Sequence, residues 1–144
     1  EFRCLKFRSM VENKTADTQQ ATKNDVRVTR IGGFLRKTSI DELPQFFNVL
    51  LGDMSVVGPR PHMIKENERY AKSIKKFMVR HFVKPGITGM AQVKGFRGEI
   101  ETETDIINRV KYDIYYLENW TILLDLNIIL LTSANFLTGQ KKAY

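Results

Sequence analysis

Two prolines flank Arg60, and this short run constrains the chain more than any other. In Gly58-Pro59-Arg60-Pro61 both rings fix φ, so neither a helix nor a central strand can pass through. Such a stiff turn is either structural or a device that presents a guanidinium at fixed geometry to a carboxylate or phosphate. The stretch that leads into it, Ser39–Pro61, opens with two adjacent carboxylates, Asp41 and Glu42. Leu43, Phe46, Phe47, Leu50 and Leu51 then recur at the spacing of an amphipathic helix, expected over 41–51. Ser39 and Glu42 match a capping box. With Ser39 as the cap, however, Pro44 would delete a real helix hydrogen bond; with Asp41 as the cap it falls where a missing N–H costs little. Either placement puts both carboxylates at the positive end of a helix dipole, which favours their ionised form. A capping pair and a reactive centre both stay open on this pattern.

The chain is 144 residues long, enough for one domain with a core, and its 42% hydrophobic and 27% charged content is that of a globular protein. Lys and Arg number 23 against 16 Asp and Glu, a net charge of +7. That balance suits an anionic partner (nucleic acid, nucleotide or anionic membrane), or it serves solubility alone. One cysteine and two histidines exclude an intrachain disulfide and a zinc-type cluster, and they fit a reducing compartment. Glu1–Lys6 reads as mid-domain sequence, so a fragment is expected. No apolar run reaches the roughly 18 residues of a membrane span.

Taken in order, Glu1–Met10 alternates like a half-buried strand, whose Lys6 and Arg8 lie on a solvated face or form an anion-binding edge. Residues 11–28 read as a polar loop. Ile31, Phe34 and Leu35 can anchor a short helix within Arg27–Thr38. Its Gly32-Gly33 lacks the spacing of a phosphate loop, although Arg30, Arg36 and Lys37 gather just before Asp41. A basic amphipathic helix is expected over 62–82, broken by Lys84–Gly89, with a short strand at Met90–Val93. Lys94 and Arg97 sit in a glycine-flanked loop. A third helix is expected over 102–119, with Asp105 and Arg109 paired at i,i+4. The apolar segment 122–137 is a core helix or an in-plane membrane helix, the latter suggested by Tyr115, Tyr116 and Trp120 upstream.

Four blocks in sequence order resemble one family: KFRSM (Lys6–Met10), LRKTSIDELPQFFNVLLGDMSVVGPRP (Leu35–Pro61), KPGITGMAQVKG (Lys84–Gly95) and KYDIYYLENWTILLDL (Lys111–Leu126). The family is that of the bacterial sugar transferases, the monotopic phosphoglycosyl transferases. The resemblance implies an enzyme of the cytoplasmic face of the bacterial inner membrane. It would transfer a sugar 1-phosphate from a UDP-sugar to undecaprenyl phosphate, release UMP, and so begin assembly of a surface polysaccharide. It implies that Asp41 is the nucleophile, forming a covalent phosphosugar–aspartyl intermediate, and that Glu42 helps to hold Mg²⁺. Lys6, Arg36 and Arg60 match basic positions of the family and are candidates to bind phosphate, with Arg97 beside them. Asp113 matches an acidic position to which the resemblance assigns no role.

Lys84 and Met90 depart from the Arg and Trp frequent in the family, without touching the Asp-Glu pair. The block around Lys111–Leu126 looks most like members that use UDP-glucose. The family's N-terminal membrane anchor is not in this sequence, so residues 1–144 are expected to be a single cytosolic catalytic domain. The expected fold is α+β: helix-rich, with a small β-sheet and amphipathic helices at the membrane surface. Exposed apolar surface would favour self-association, which keeps a homo-oligomer open. A nucleic-acid partner is not expected, because Glu66, Glu68 and Glu99 interrupt the positive residues and no reader motif is present. The alternative is a non-catalytic basic domain that binds membranes peripherally.

Overall fold

A computed structural model of the chain describes residues 1–12, 21–22 and 25–137. It has the expected α+β architecture, with six α-helices around one small sheet among the described residues. The helices are α1 (Arg30–Lys37), α2 (Gln45–Leu50), α3 (Ile64–Ser73), α4 (Met90–Val93), α5 (Glu103–Glu118) and α6 (Ile122–Leu137). The strands β1 (Ser55–Val57) and β2 (Gly86–Thr88) pair in parallel, Ser55 opposite Gly86 and Val57 opposite Thr88. Two clusters form the core. Tyr70, Ile74 and Phe77 pack on Ile106 and Val110 of α5, while Val57 meets Tyr116 and Ile128.

The expected helix over 41–51 divides into a 3₁₀ turn, Ile40–Glu42, and α2. Ser39 enters the turn in the left-handed region, φ 52°, and its side chain makes no capping bond. Asp41 lies within the turn and caps nothing, so the capping reading of the pair is not realised. Pro44 falls at the join, as the residue before α2, where its lost N–H breaks no ladder. The apolar period is present but faces outward. Gln45 and Asn48 are each 1% exposed, whereas Phe47, Leu50 and Leu51 are well exposed.

That inversion explains why residues 1–10 are not a strand. Asn48 acts as their partner: its Oδ1 accepts from Leu5 N at 2.9 Å and its Nδ2 donates to Arg3 O at 2.8 Å. Phe7 N donates to Asp41 O at 2.9 Å. A side-chain amide and one carbonyl thus satisfy backbone groups that a sheet would otherwise satisfy. The segment's ladder contact is a single antiparallel bridge, Met10 to Val28. The loop expected over 11–28 lies outside the described residues at 13–20 and 23–24.

The expected helix over 62–82 is also broken, into α3 and a 3₁₀ segment, Phe77–Phe82. Between them Lys76 takes φ 64°. No proline or glycine forces that break; it turns Ile74 and Phe77 together onto α5. Met90–Val93 is helix rather than strand, because the ladder is already completed just upstream by Gly86–Thr88. Gln92 Nε2 then donates to Ile87 O at 3.0 Å, folding α4 back on β2. The helix expected over 102–119 is α5, opened by a capping box in which Thr102 and Asp105 exchange bonds. Segment 122–137 is helical throughout.

Gly32 marks the closest approach between α1 and the leading segment. A Cβ there would sit 1.8 Å from Ser9 O, whereas one on Gly33 would meet nothing within 4 Å. Gly32→Ala should therefore cost about 1–3 kcal/mol through overpacking, and Gly33→Ala should gain about 0.5–1 kcal/mol of helix stability. Thermal melts of the two variants check this, and equal effects would contradict the packing of Ser9 on α1.

Candidate active site

The 3₁₀ turn carries Glu42 inward, to 7% exposure. Its carboxylate receives cations from three distant segments. Oε1 accepts from Lys6 Nζ at 3.0 Å and Arg60 Nη2 at 2.6 Å, and Oε2 accepts from Arg97 Nη2 at 2.8 Å and Arg60 Nη1 at 3.4 Å. Arg60 therefore grips both oxygens, the bidentate use its proline-flanked turn allows. That turn is stitched to the sheet, since Gly58 N donates to Thr88 O at 2.8 Å and Gly86 N to Pro59 O at 3.0 Å.

Asp41 lies beside this cluster at 8% exposure. The two carboxyls are pushed in opposite directions. Burial opposes ionisation of Glu42, but Arg60, Lys6 and Arg97 overcome it and hold the carboxyl far below the ordinary glutamate range. Burial raises Asp41, Glu42's charge raises it further, and Lys6, Arg36 and Arg97 offset only part of this. The helix-dipole expectation that both would favour ionisation thus fails for Asp41. A single 3₁₀ turn has little dipole to offer, so burial and neighbouring charge decide.

Of the residues singled out in the sequence, Lys6, Arg60 and Arg97 converge on Glu42. Arg36 does not join them. Its Nε donates to Ser9 Oγ at 2.8 Å, and it reaches Asp41 through its charge. Asp113 stands apart from the pair, 1% exposed and 3.0 Å from Arg80 Nη2. Burial lifts its carboxyl to about 6, with Arg80 and Arg109 pulling the other way. His62, Arg80 and Arg109 escaped the sequence reading. Arg80 fell there within a basic amphipathic helix and Arg109 in an i,i+4 pair with Asp105, yet both are buried. Helical period carries no sign of partners so far away in the chain.

Among the described residues, no third Asp, Glu, His or Cys joins Asp41 and Glu42 to make a protein cage for a metal. Two adjacent carboxylates do suit an ion such as Mg²⁺, which takes one or two carboxylates and completes its shell with substrate phosphates and water.

The sequence profile of the family described as bacterial sugar transferase matches residues 1–139. The chain belongs to the bacterial sugar transferase family. It is 55% identical, over its whole length, to a UDP-glucose:undecaprenyl-phosphate glucose-1-phosphate transferase of Xanthomonas campestris pv. campestris, covering 30% of that protein. It is 59% identical over 88% of its length to a Klebsiella pneumoniae protein of the same description, covering 28% of it. An Aeromonas hydrophila UDP-N-acetylgalactosamine-undecaprenyl-phosphate N-acetylgalactosaminephosphotransferase is 44% identical over 96% of the chain, which covers 33% of that relative. This bacterial sugar transferase chain thus spans about a third of the length of these curated relatives.

Because Glu42 is held ionised in the fold, its contribution to stability is present above the ordinary glutamate value of 4.5 and is lost as pH falls below it. The gap in thermal midpoint between wild type and Glu42→Gln should therefore be widest above pH 4.5 and narrow below it. A gap that stays constant from pH 7 to pH 3 would contradict the charge-held carboxylate.

Proposed function

We propose that the protein carrying this chain transfers glucose 1-phosphate from UDP-glucose to undecaprenyl phosphate, with Asp41 as the nucleophile. The observation that carries the reading is the pair itself: Glu42 saturated by Lys6, Arg60 and Arg97, with Asp41 beside it carrying a raised pKa. Three cations against one carboxylate leave the cluster net positive, which suits a diphosphate. The descriptions of the Xanthomonas and Klebsiella relatives support glucose as the sugar.

In the first step Asp41 attacks the β-phosphorus. The bond from that phosphorus to the bridging oxygen breaks, and UMP leaves with the electron pair. The sugar 1-phosphate remains on Asp41 as an acyl phosphate. In the second step an oxygen of undecaprenyl phosphate attacks the same phosphorus and expels the Asp41 carboxylate, giving the undecaprenyl diphosphosugar. Lys6, Arg60 and Arg97 steady the phosphate oxygens as charge develops, and Arg36 adds its field at Asp41. Glu42 and the substrate phosphates would hold Mg²⁺, which when bound supplies further neutralisation of phosphate charge.

Exposed apolar side chains on three helices, among them Ile31 and Phe34 of α1, Phe46 and Leu50 of α2, and Leu123 and Leu130 of α6, would suit contact with the lipid substrate at the cytoplasmic face of the bacterial inner membrane. No helix among the described residues is long and apolar enough to cross a membrane.

Full-length protein assayed with UDP-glucose, undecaprenyl phosphate and Mg²⁺ should release UMP, and Asp41→Asn should lower that rate by about three orders of magnitude or more while remaining folded. A phosphosugar adduct should appear on Asp41 by mass spectrometry. The acid limb of the rate should lie above the ordinary aspartate value of 3.8, because Asp41 must lose its proton and its pKa is raised. Undiminished UMP release by Asp41→Asn, or an adduct on another residue, would overturn the assignment.

A further inference from the structure

Arg60 and Arg97 reach Glu42 from two loops that lack regular structure, Gly58–Pro61 and Gly95–Gly98. Each loop is held from behind by a different buried arginine. Arg80 Nη2 donates to Arg60 O at 2.6 Å, and Arg109 Nη2 donates to Gly98 O, next to Arg97, at 2.8 Å. The two guanidiniums meet at one ring. Arg80 Nη1 lies 3.1 Å from His62 Nδ1 and 3.2 Å from Nε2, and Arg109 Nη1 lies 3.1 Å from Nε2.

The ring is fixed in turn. Tyr70 and Phe77 pack on it at 5.9 and 6.0 Å, and the Arg80 guanidinium lies over Phe77 at 5.3 Å. Asp113, on α5 one turn beyond Arg109, supplies Arg80 with its counter-charge at 3.0 Å. Burial, with Arg80 and Arg109 alongside, keeps the imidazole neutral, so it can accept a bond from a guanidinium.

This arrangement is an expensive way to fill a core. Two arginines, each 3% exposed, are buried here, and apolar side chains of similar volume would pack there at lower desolvation cost. Apolar side chains could not grip a loop carbonyl. A guanidinium can do so and still keep donors for a ring and a counter-ion, because its five N–H groups form a rigid fork.

We infer that Arg80 and Arg109, joined through His62 and anchored by Asp113, form a buried frame that fixes the main chain of the two loops so that Arg60 and Arg97 converge on Glu42. They are positioning residues, and the inference rests on the catalytic reading of that site. Arg80 acts through Arg60, and Arg109 acts through Arg97.

The test is a pair of double-mutant cycles on UMP release by the full-length protein with UDP-glucose and undecaprenyl phosphate. Lysine keeps the charge at either position but lacks the fork. Arg80→Lys should lower kcat/KM by about ten- to a hundredfold, the usual loss when a group that orients an active-site ligand is removed. Combined with Arg60→Lys, it should add little to the loss of Arg60→Lys alone, because the residue it positions is already gone. Arg109→Lys should show the same dependence on Arg97→Lys. Losses that multiply in both cycles mean that the arginines only support the fold, and they overturn the frame. If Arg80→Lys does not fold, the Arg109 and Arg97 cycle decides by the same criterion. Asp41→Asn is assayed alongside: turnover by that variant overturns the catalytic reading, whereas an inactive Asp41→Asn with multiplying losses overturns the frame alone.

Discussion

One buried carboxylate holds this molecule's working end together. Lys6, Arg60 and Arg97 lie 36, 18 and 55 residues from Glu42 along the chain, and they meet on its two oxygens. Without cations, a carboxylate so nearly buried would not stay ionised. Without the carboxylate, three cations would face one another. Each side makes the other tolerable, and the pairing brings the leading segment, the proline-flanked turn and the loop before α5 to one point. The sheet could not do this alone. It has two strands of three residues and fixes only the turn that carries Arg60.

Polar side chains also do the structural work elsewhere around the site. Asn48 turns inward from α2 and takes the place of a neighbouring strand for residues 3–5. Arg80 and Arg109 hold the carbonyls of loops. With its interior side spent on such contacts, α2 turns its apolar residues outward. The amphipathic period of Leu43–Leu51 therefore describes a surface rather than a core. In α6 Ile128 alone is fully buried, packing with Val57 and Tyr116, while most of the helix's apolar side chains stay exposed.

These contrasts explain what could be read from the sequence. The start of α6 was legible to the residue, and α5 nearly so, because both run uninterrupted and are marked by Thr102 and by the break at Asn119–Thr121. The break in 62–82 turns on Lys76, a non-glycine residue in left-handed conformation, which local composition does not announce, whereas that in 41–51 falls at Pro44. The strand at Gly86–Thr88 lay in a stretch that read only as a helix breaker. Asp41, Glu42, Lys6 and Arg60 stood out by charge and by the proline-flanked turn, but only the family blocks suggested roles for them, since charge and spacing left a capping pair open. His62, Arg80 and Arg109 carried no signal, because their partners lie 11 to 47 residues away and no period connects them.

Adjacent residues with the same functional group have been given different environments. Glu42 is surrounded by donors, which spread its charge and weaken it as a base. Asp41 is buried beside Glu42's charge, with its pKa raised, and is the more basic of the two. When neighbouring environments push two like groups apart in this way, their chemical roles separate as well. Basicity favours attack on phosphorus, whereas a carboxylate held ionised by a ring of cations is suited to organising charge. The division follows from burial and from where three cations fall, and it supports the role proposed for Asp41.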